Sequence, residues 1–143
     1  MKSRLFVPGL GLVVLFAGCA NDASVRTSSS ENAAIHRIKS AKELKARLDA
    51  HEVTAVHSLD RAHYQRGHIP GALHVDYERM EPGALPADKK APLVFYCAGG
   101  GCPVSGMAAR KAVEFGYTNV WVYEGGIKEW RAAGLKLATG SHP

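Results

Sequence analysis

Hydrophobic and polar positions divide the chain into three stretches of different character. Leu5 to Phe16 is an apolar run broken by one proline and two glycines. Asn21 to Ala34, "NDASVRTSSSENAA", is polar, Ser-rich and without a period, a composition that buries too little apolar surface to order itself. From Ile35 onward, segments with helical spacing alternate with short apolar runs of strand character. No internal repeat is present.

In this third stretch, "SAKELKARLDAHE" begins at Ser40, a candidate N-cap, with Glu43 three residues later and Leu44 and Leu48 at helical spacing; it predicts a capped amphipathic helix. "VTAVH" (Val53 to His57) is short, β-branched and partly alternating, and predicts a strand. "HIPGALHVDY" carries a Pro-Gly turn followed by "LHV", a loop leading into a short strand. "PLVFYC" (Pro92 to Cys97) is a continuous apolar run of buried-strand character that stops at three glycines. A helix follows over "VSGMAARKAVEFGY", with Met107, Ala108, Val113 and Phe115 as its apolar face and Gly116 as its cap. "NVWVYEGG" predicts another strand, and "IKEWRAAG" a short helix closed by Gly134. Strands alternating with helices imply an α/β fold, a central parallel sheet flanked by helices on both faces.

Length fits one domain with a core large enough to fold without disulfides. Charge changes the picture at the front of the chain. Lys2 and Arg4, the apolar run, and Ala17-Gly18 before Cys19 have the order of a bacterial export signal over residues 1–18. A spanning helix needs about 20 apolar residues, more than this interrupted run offers. Of 18 basic residues, Lys2 and Arg4 lie in that segment; without them 16 face 13 acidic ones, a net of +3 rather than +5. No Lys/Arg run or aromatic interleaving points to nucleic acid.

The segment "LFAGC" resembles the lipobox of bacterial lipoproteins, with Phe16 where leucine is more usual. The resemblance implies that Cys19 is the lipidated first residue of the mature protein. Ala20, rather than aspartate, follows it, which implies an outer-membrane anchor facing the periplasm. Residues 19–34 are then a flexible tether and residues 35–140 the folded domain. Two cysteines remain for chemistry, Cys97 and Cys102.

Both lie in "YCAGGGCP", Tyr96 to Pro103. A strand entering a glycine-rich turn and then a helix aims backbone N–H groups into one concavity at the positive end of the helix dipole. Such a nest stabilises an anion and lowers the pKa of a thiol at its rim. Cys97 is therefore the candidate nucleophile, in a cradle of Ala98, Gly99, Gly100, Gly101 and Cys102. The electrophile is left open by this geometry. His57, His63, His68 and His74 come in quick succession, but at no zinc or copper spacing, so neither a metal nor a cofactor is expected. Trp121, Tyr123 and Trp130 read as packing residues.

"GHIPGALHV" (Gly67 to Val75), "LVFYC" (Leu93 to Cys97) and "GYTNVWVYEGGIKEWRAAGLKL" (Gly116 to Leu137) resemble, in order and spacing, the signature blocks of rhodanese-like sulfurtransferase domains. The resemblance covers about Ile35 to Leu137 and implies a single rhodanese-like domain. It further implies that Cys97 takes sulfane sulfur from a small donor such as thiosulfate, holds it as a persulfide, and passes it to a thiol or protein acceptor by double displacement. Against that background Cys102 is a candidate resolving thiol, able to attack a persulfide or sulfenate on Cys97 and close a disulfide, or else a small residue that fits a tight loop. Several positions depart from the pattern. Ala98 and Cys102 stand where related loops carry arginine and a basic or hydroxyl residue, and Pro103 and Val104 lengthen the loop before Ser105. Pro103 also occupies the arginine position of the Cys-x5-Arg phosphatases, which disfavours phosphate transfer. His57, Ser58 and Leu59 replace a customary "DVR", and His63 replaces a glutamate. These departures leave two alternatives open: a non-catalytic binding module, and a thiol-redox protein cycling a Cys97-Cys102 disulfide.

Overall fold

The apolar runs become neighbouring strands of one sheet. The computed structural model describes residues 35–142; the signal segment, Cys19 and the polar tether lie outside the described residues. In chain order the elements are β1 (His36–Ile38), α1 (Ala41–Asp49), β2 (Thr54–His57), α2 (Arg61–Arg66), β3 (Leu73–His74), β4 (Leu93–Tyr96), α3 (Val104–Glu114), β5 (Val120–Tyr123) and α4 (Gly126–Ala132), with two 3-10 turns at Tyr77–Arg79 and Pro82–Ala84. The five strands are parallel, in the order β1-β5-β4-β2-β3.

Strand alternation gives the sheet two apolar faces and two cores. Leu93 and Phe95 of β4, with Val120 and Val122 of β5 and Val56 of β2, pack with Ala108, Ala109 and Ala112 of α3. Val94, Tyr96, Ala55 and Tyr123 point the other way, onto Leu44 of α1 and Trp130 of α4. Each large apolar side chain buried so completely contributes roughly 1.5–3 kcal/mol of transfer free energy.

The apolar face of α3 differs from the expectation. Its buried positions are Ser105, Ala108, Ala109 and Ala112, whereas Met107, Val113 and Phe115 are half-buried. Alanines let the helix axis come close to the sheet, and the bulk that fills the space comes from the strands. The predicted caps form as read: Ser40 Oγ accepts from Glu43 N–H, and at the end of α3 Gly116, at φ +90°, donates to Val113 O. Glu43 returns a bond to Lys39 N–H, one residue before the cap.

Two elements carry no strong signal in the sequence. β1 is a three-residue edge strand held by its register with Trp121, Val122 and Tyr123. α2 buries only Tyr64 and is organised by Asp60, whose side chain accepts from His63 N–H. Among the described residues no helix is long and apolar enough to cross a membrane.

The topology selects one place on this frame. The chain passes outward from β2 to β3, returns to β4, and then proceeds in the opposite direction to β5. Ligands of open parallel sheets bind at the carboxyl ends of the strands where the winding reverses. Here that place is the end of β4, at Cys97.

Candidate functional site

Cys97 follows the last residue of β4 and is buried. By alternation from Tyr96, its side chain takes the α3 side of the sheet, where its thiol meets Ser105 Oγ at 3.5 Å and the Cys102 carbonyl at 3.4 Å. Both thiols are free. Burial alone would raise the Cys97 pKa, but the Cys102 thiol, the Gly99 amide, and the Ser105 hydroxyl and amide together bring it below the ordinary thiol value. Cys102 moves the opposite way: burial first, and then the neighbouring Cys97 thiol, push it up. The two thiols are thus moved apart, Cys97 toward the thiolate and Cys102 toward the protonated form.

The expected cradle is divided between the two sulfurs. Gly99 N–H acts on Cys97, while Ala98 N–H and Val104 N–H act on Cys102. Ser105, in the first turn of α3, is a contributor that sequence reasoning placed only as the residue beyond the loop. Its signal is positional: a hydroxyl in the first turn of the helix that follows a candidate nucleophile.

Three consecutive glycines, Gly99, Gly100 and Gly101, have φ of +87°, +65° and +93°. Only Gly99 is also required by space, because a Cβ there would lie 2.0 Å from Gly125 O. Across the contact, Gly126 has φ +55°, and a Cβ on it would fall 2.3 Å from Cys97 O and 2.4 Å from Gly99 N. This close approach lets the first amides of α4 reach the loop: Ile127 N–H donates to Cys97 O and Lys128 N–H to Ala98 O, both at 3.0 Å. The "EGG" of the strand-helix junction is therefore the mate of the Cys97 loop.

Two cavities flank the loop. One, of about 390 Å³, is lined by Gly101, Cys102, Ser105 and Arg110, with the Arg37 and Glu124 ion pair at its edge. The other, of about 420 Å³, is lined by Ala98, His57, His63, Arg66, Lys128 and Arg131. His57 stands in the position of the missing "DVR" aspartate. It is buried with its Nδ1 unpartnered among the described residues, and burial, then the neighbouring His74, His68 and His63, lower its pKa to about 4. The other histidines are tied into the scaffold: His68 Nδ1 bonds Tyr64 O, His74 Nε2 bonds Leu59 O, and His63 Nδ1 bonds Asp60. Among the described residues no three His, Cys, Asp or Glu side chains gather as a metal site.

Comparison with known proteins adds a family. Residues 40–133 match the rhodanese-like domain. An HTH-type transcriptional regulator of Mycobacterium tuberculosis is 34% identical over 99 residues, covering 69% of this chain and 43% of that protein. The thiosulfate sulfurtransferase GlpE of Coxiella burnetii is 33% identical over 73 residues, covering 51% of this chain and 66% of that one. The matched part thus spans less than two thirds of either relative. A crystal structure of thiosulfate sulfurtransferase from Pseudomonas aeruginosa superposes with a TM-score of 0.63 at 23% identity, over 76% of this chain and 21% of that one, a likeness of fold.

Proposed function

Because the chain belongs to the rhodanese-like domain family, we propose that it is a sulfurtransferase that carries sulfane sulfur as a persulfide on Cys97 and hands it to a thiol or other nucleophilic acceptor. The observation that carries this reading is the setting of the Cys97 sulfur. It lies at the carboxyl end of β4, held toward the thiolate by the Cys102 thiol, Gly99 N–H and Ser105. A thiolate is the form that attacks sulfur. With thiosulfate as donor, Cys97 attacks the terminal sulfur, a Cys97 S–S bond forms, and sulfite leaves with the electron pair of the broken bond. The acceptor then attacks the outer sulfur and Cys97 departs as thiolate, which closes the cycle.

Cys102 supports a second reading. Cys97 Sγ donates to the Cys102 carbonyl at 3.4 Å, a proximity from which a two-electron oxidant such as a partner disulfide would close a Cys97-Cys102 disulfide and make the protein a thiol-redox carrier. Intact-mass measurement of the purified chain, with and without thiosulfate, separates these readings in wild type, Cys97→Ser and Cys102→Ser. Sulfur transfer predicts the gain of one sulfur atom, lost in Cys97→Ser and kept in Cys102→Ser. Redox cycling predicts the loss of two hydrogens, dependent on both cysteines. Neither shift with any sulfane donor leaves the non-catalytic binding module, and the enzyme reading is then abandoned.

We place this activity at the cell envelope, with Cys19 lipidated, residues 19–34 as tether and the domain facing the periplasm; the "LFAGC" segment supports this. Labelling with radioactive palmitate tests it, since a Cys19→Ser chain should take up no label and leave the membrane fraction.

A further inference from the structure

The Cys97 thiol is turned toward α3. The two groups it contacts, Ser105 Oγ at 3.5 Å and the Cys102 carbonyl at 3.4 Å, belong to residues that line the cavity of about 390 Å³. The sulfur therefore lies behind the wall of that cavity, and a reagent approaching from the α3 side meets it past Cys102. The loop offers such a reagent no side-chain charge, since Ala98 to Pro103 contains none. The cavity does. Arg37 and Glu124 pair at its edge and cancel, whereas Arg110 lines the same cavity and, among the described residues, enters no ion pair. The Arg110 guanidinium folds back one helical turn: one of its nitrogens lies 3.7 Å from the place a Cβ would take on Gly106, the neighbour of Ser105. Bare Gly106 thus leaves this cation over the first turn of α3, the turn that Cys97 touches through Ser105. A guanidinium without a partner matches an oxyanion in both charge and shape, because its fork of N–H donors can take two oxygens at once.

We propose that Arg110 is the specificity-determining residue for the donor: it takes the oxygens of an oxyanion-bearing sulfur donor entering through the α3-side cavity, and it favours such donors over uncharged ones. The anion preference stands on the cavity and the thiol behind it; the donor role rests on the sulfurtransferase reading. With thiosulfate, the oxygens face Arg110 and the terminal sulfur faces Cys97. The thiolate attacks that sulfur, a Cys97 S–S bond forms, and the bond to the oxygen-bearing sulfur breaks with its electron pair going to sulfite. Charge balances, since a thiolate and a thiosulfate dianion become a persulfide anion and a sulfite dianion. The departing sulfite keeps its oxygens, and with them the contact to Arg110.

Alkylation of the purified full chain by iodoacetate and by iodoacetamide, followed at Cys97 by peptide mass, reads the anion preference without any sulfur chemistry. Both reagents meet the same thiolate, so a change in the thiol itself cancels in the ratio of their rates. Loss of one charge-assisted contact predicts that Arg110→Gln lowers the iodoacetate-to-iodoacetamide ratio about fivefold, and the rate of sulfur gain from thiosulfate about tenfold. Arg110→Lys keeps the charge and should recover most of the ratio, and added salt should erode the wild-type ratio. Lys128→Gln removes a cation from the other side of the loop and should leave the ratio within about twofold of wild type. An unchanged ratio in Arg110→Gln, or an equal loss in Lys128→Gln, overturns the assignment. A lowered ratio with thiosulfate loading at the wild-type rate overturns the donor role and keeps the anion preference. If Cys97 never gains sulfur from thiosulfate yet Arg110→Gln lowers the ratio, the sulfurtransferase reading fails and the Arg110 preference stands.

Discussion

The two halves of the Cys97 loop are built on opposite principles. From Cys97 to Gly99 the backbone is clamped: its carbonyls accept from Ile127 and Lys128, and Gly99 sits against Gly125 with no room for a side chain. From Gly100 to Pro103 the loop is sparsely contacted. A Cβ on Gly101 would meet nothing within 4 Å, and one on Gly100 would meet only the Lys128 side chain. Both halves use glycine at positive φ, but in the first half the reason is space as well as conformation, and in the second it is conformation alone. The sulfur is thus fixed from the α4 side, while the residue that tunes it, Cys102, rides on the freer half.

Filling the clamp attacks this contrast most directly. Gly126→Ala or Gly99→Ala must displace backbone atoms as well as adopt an unfavourable φ, and either should cost about 3–5 kcal/mol in urea unfolding and abolish sulfur uptake by Cys97. A loss below about 1 kcal/mol would show that the halves are not distinct. Next comes the wall that His57 shares with Ala98. His57 is protonated in the unfolded chain below 6.5 but in the folded one only below about 4. Its contribution is fully present above pH 6.5, falls as pH drops through the window between those values, and is gone below it. The amplitude is about 3 kcal/mol. Stability measured across that range should lose this slope in His57→Asn. On the freer half, Gly101→Ala carries the strain of positive φ without a collision. Its cost is about 1 kcal/mol, and the intact-mass gain of sulfur should persist. The gentlest change removes one donor. Ser105→Ala or Cys102→Ala should shift the alkylation-rate profile of Cys97 to higher pH without unfolding the protein; an unmoved profile would sever the tuning from these residues.

Legibility in the sequence follows the same division. Elements with strong periodicity or a cap were legible: the apolar β4, the Ser40 cap of α1, and the Gly116 end of α3. Cys97 could be named from one strand, one loop and the helix behind it, because those are contiguous in the chain. β1 and α2 were not legible, since three edge residues and one buried Tyr64 carry no period. The Gly126 clamp was hidden for another reason. Its partner lies 27 positions earlier, at Gly99, and only the parallel pairing of β4 with β5 brings the two junctions together. The cationic cavity likewise joins α2 to α4, which no local pattern connects. Small residues in α3 misled in their own way, because alanines at a close helix-sheet contact are weaker hydrophobic markers than the Met107 and Phe115 beside them.

With Ile127 and Lys128 amides spent on the carbonyls of Cys97 and Ala98, strand end and helix start move as one piece. A sulfur atom mounted in this way has little travel of its own, so under the proposed function the donor must bring its sulfur to Cys97. In the proposed cycle the reach comes from the cargo: a persulfide carries the transferable atom about 2 Å beyond Cys97 Sγ. The loaded enzyme can therefore touch acceptors that the empty one cannot. Such an order of events makes the donor, rather than the acceptor, the partner with the stricter demand on shape.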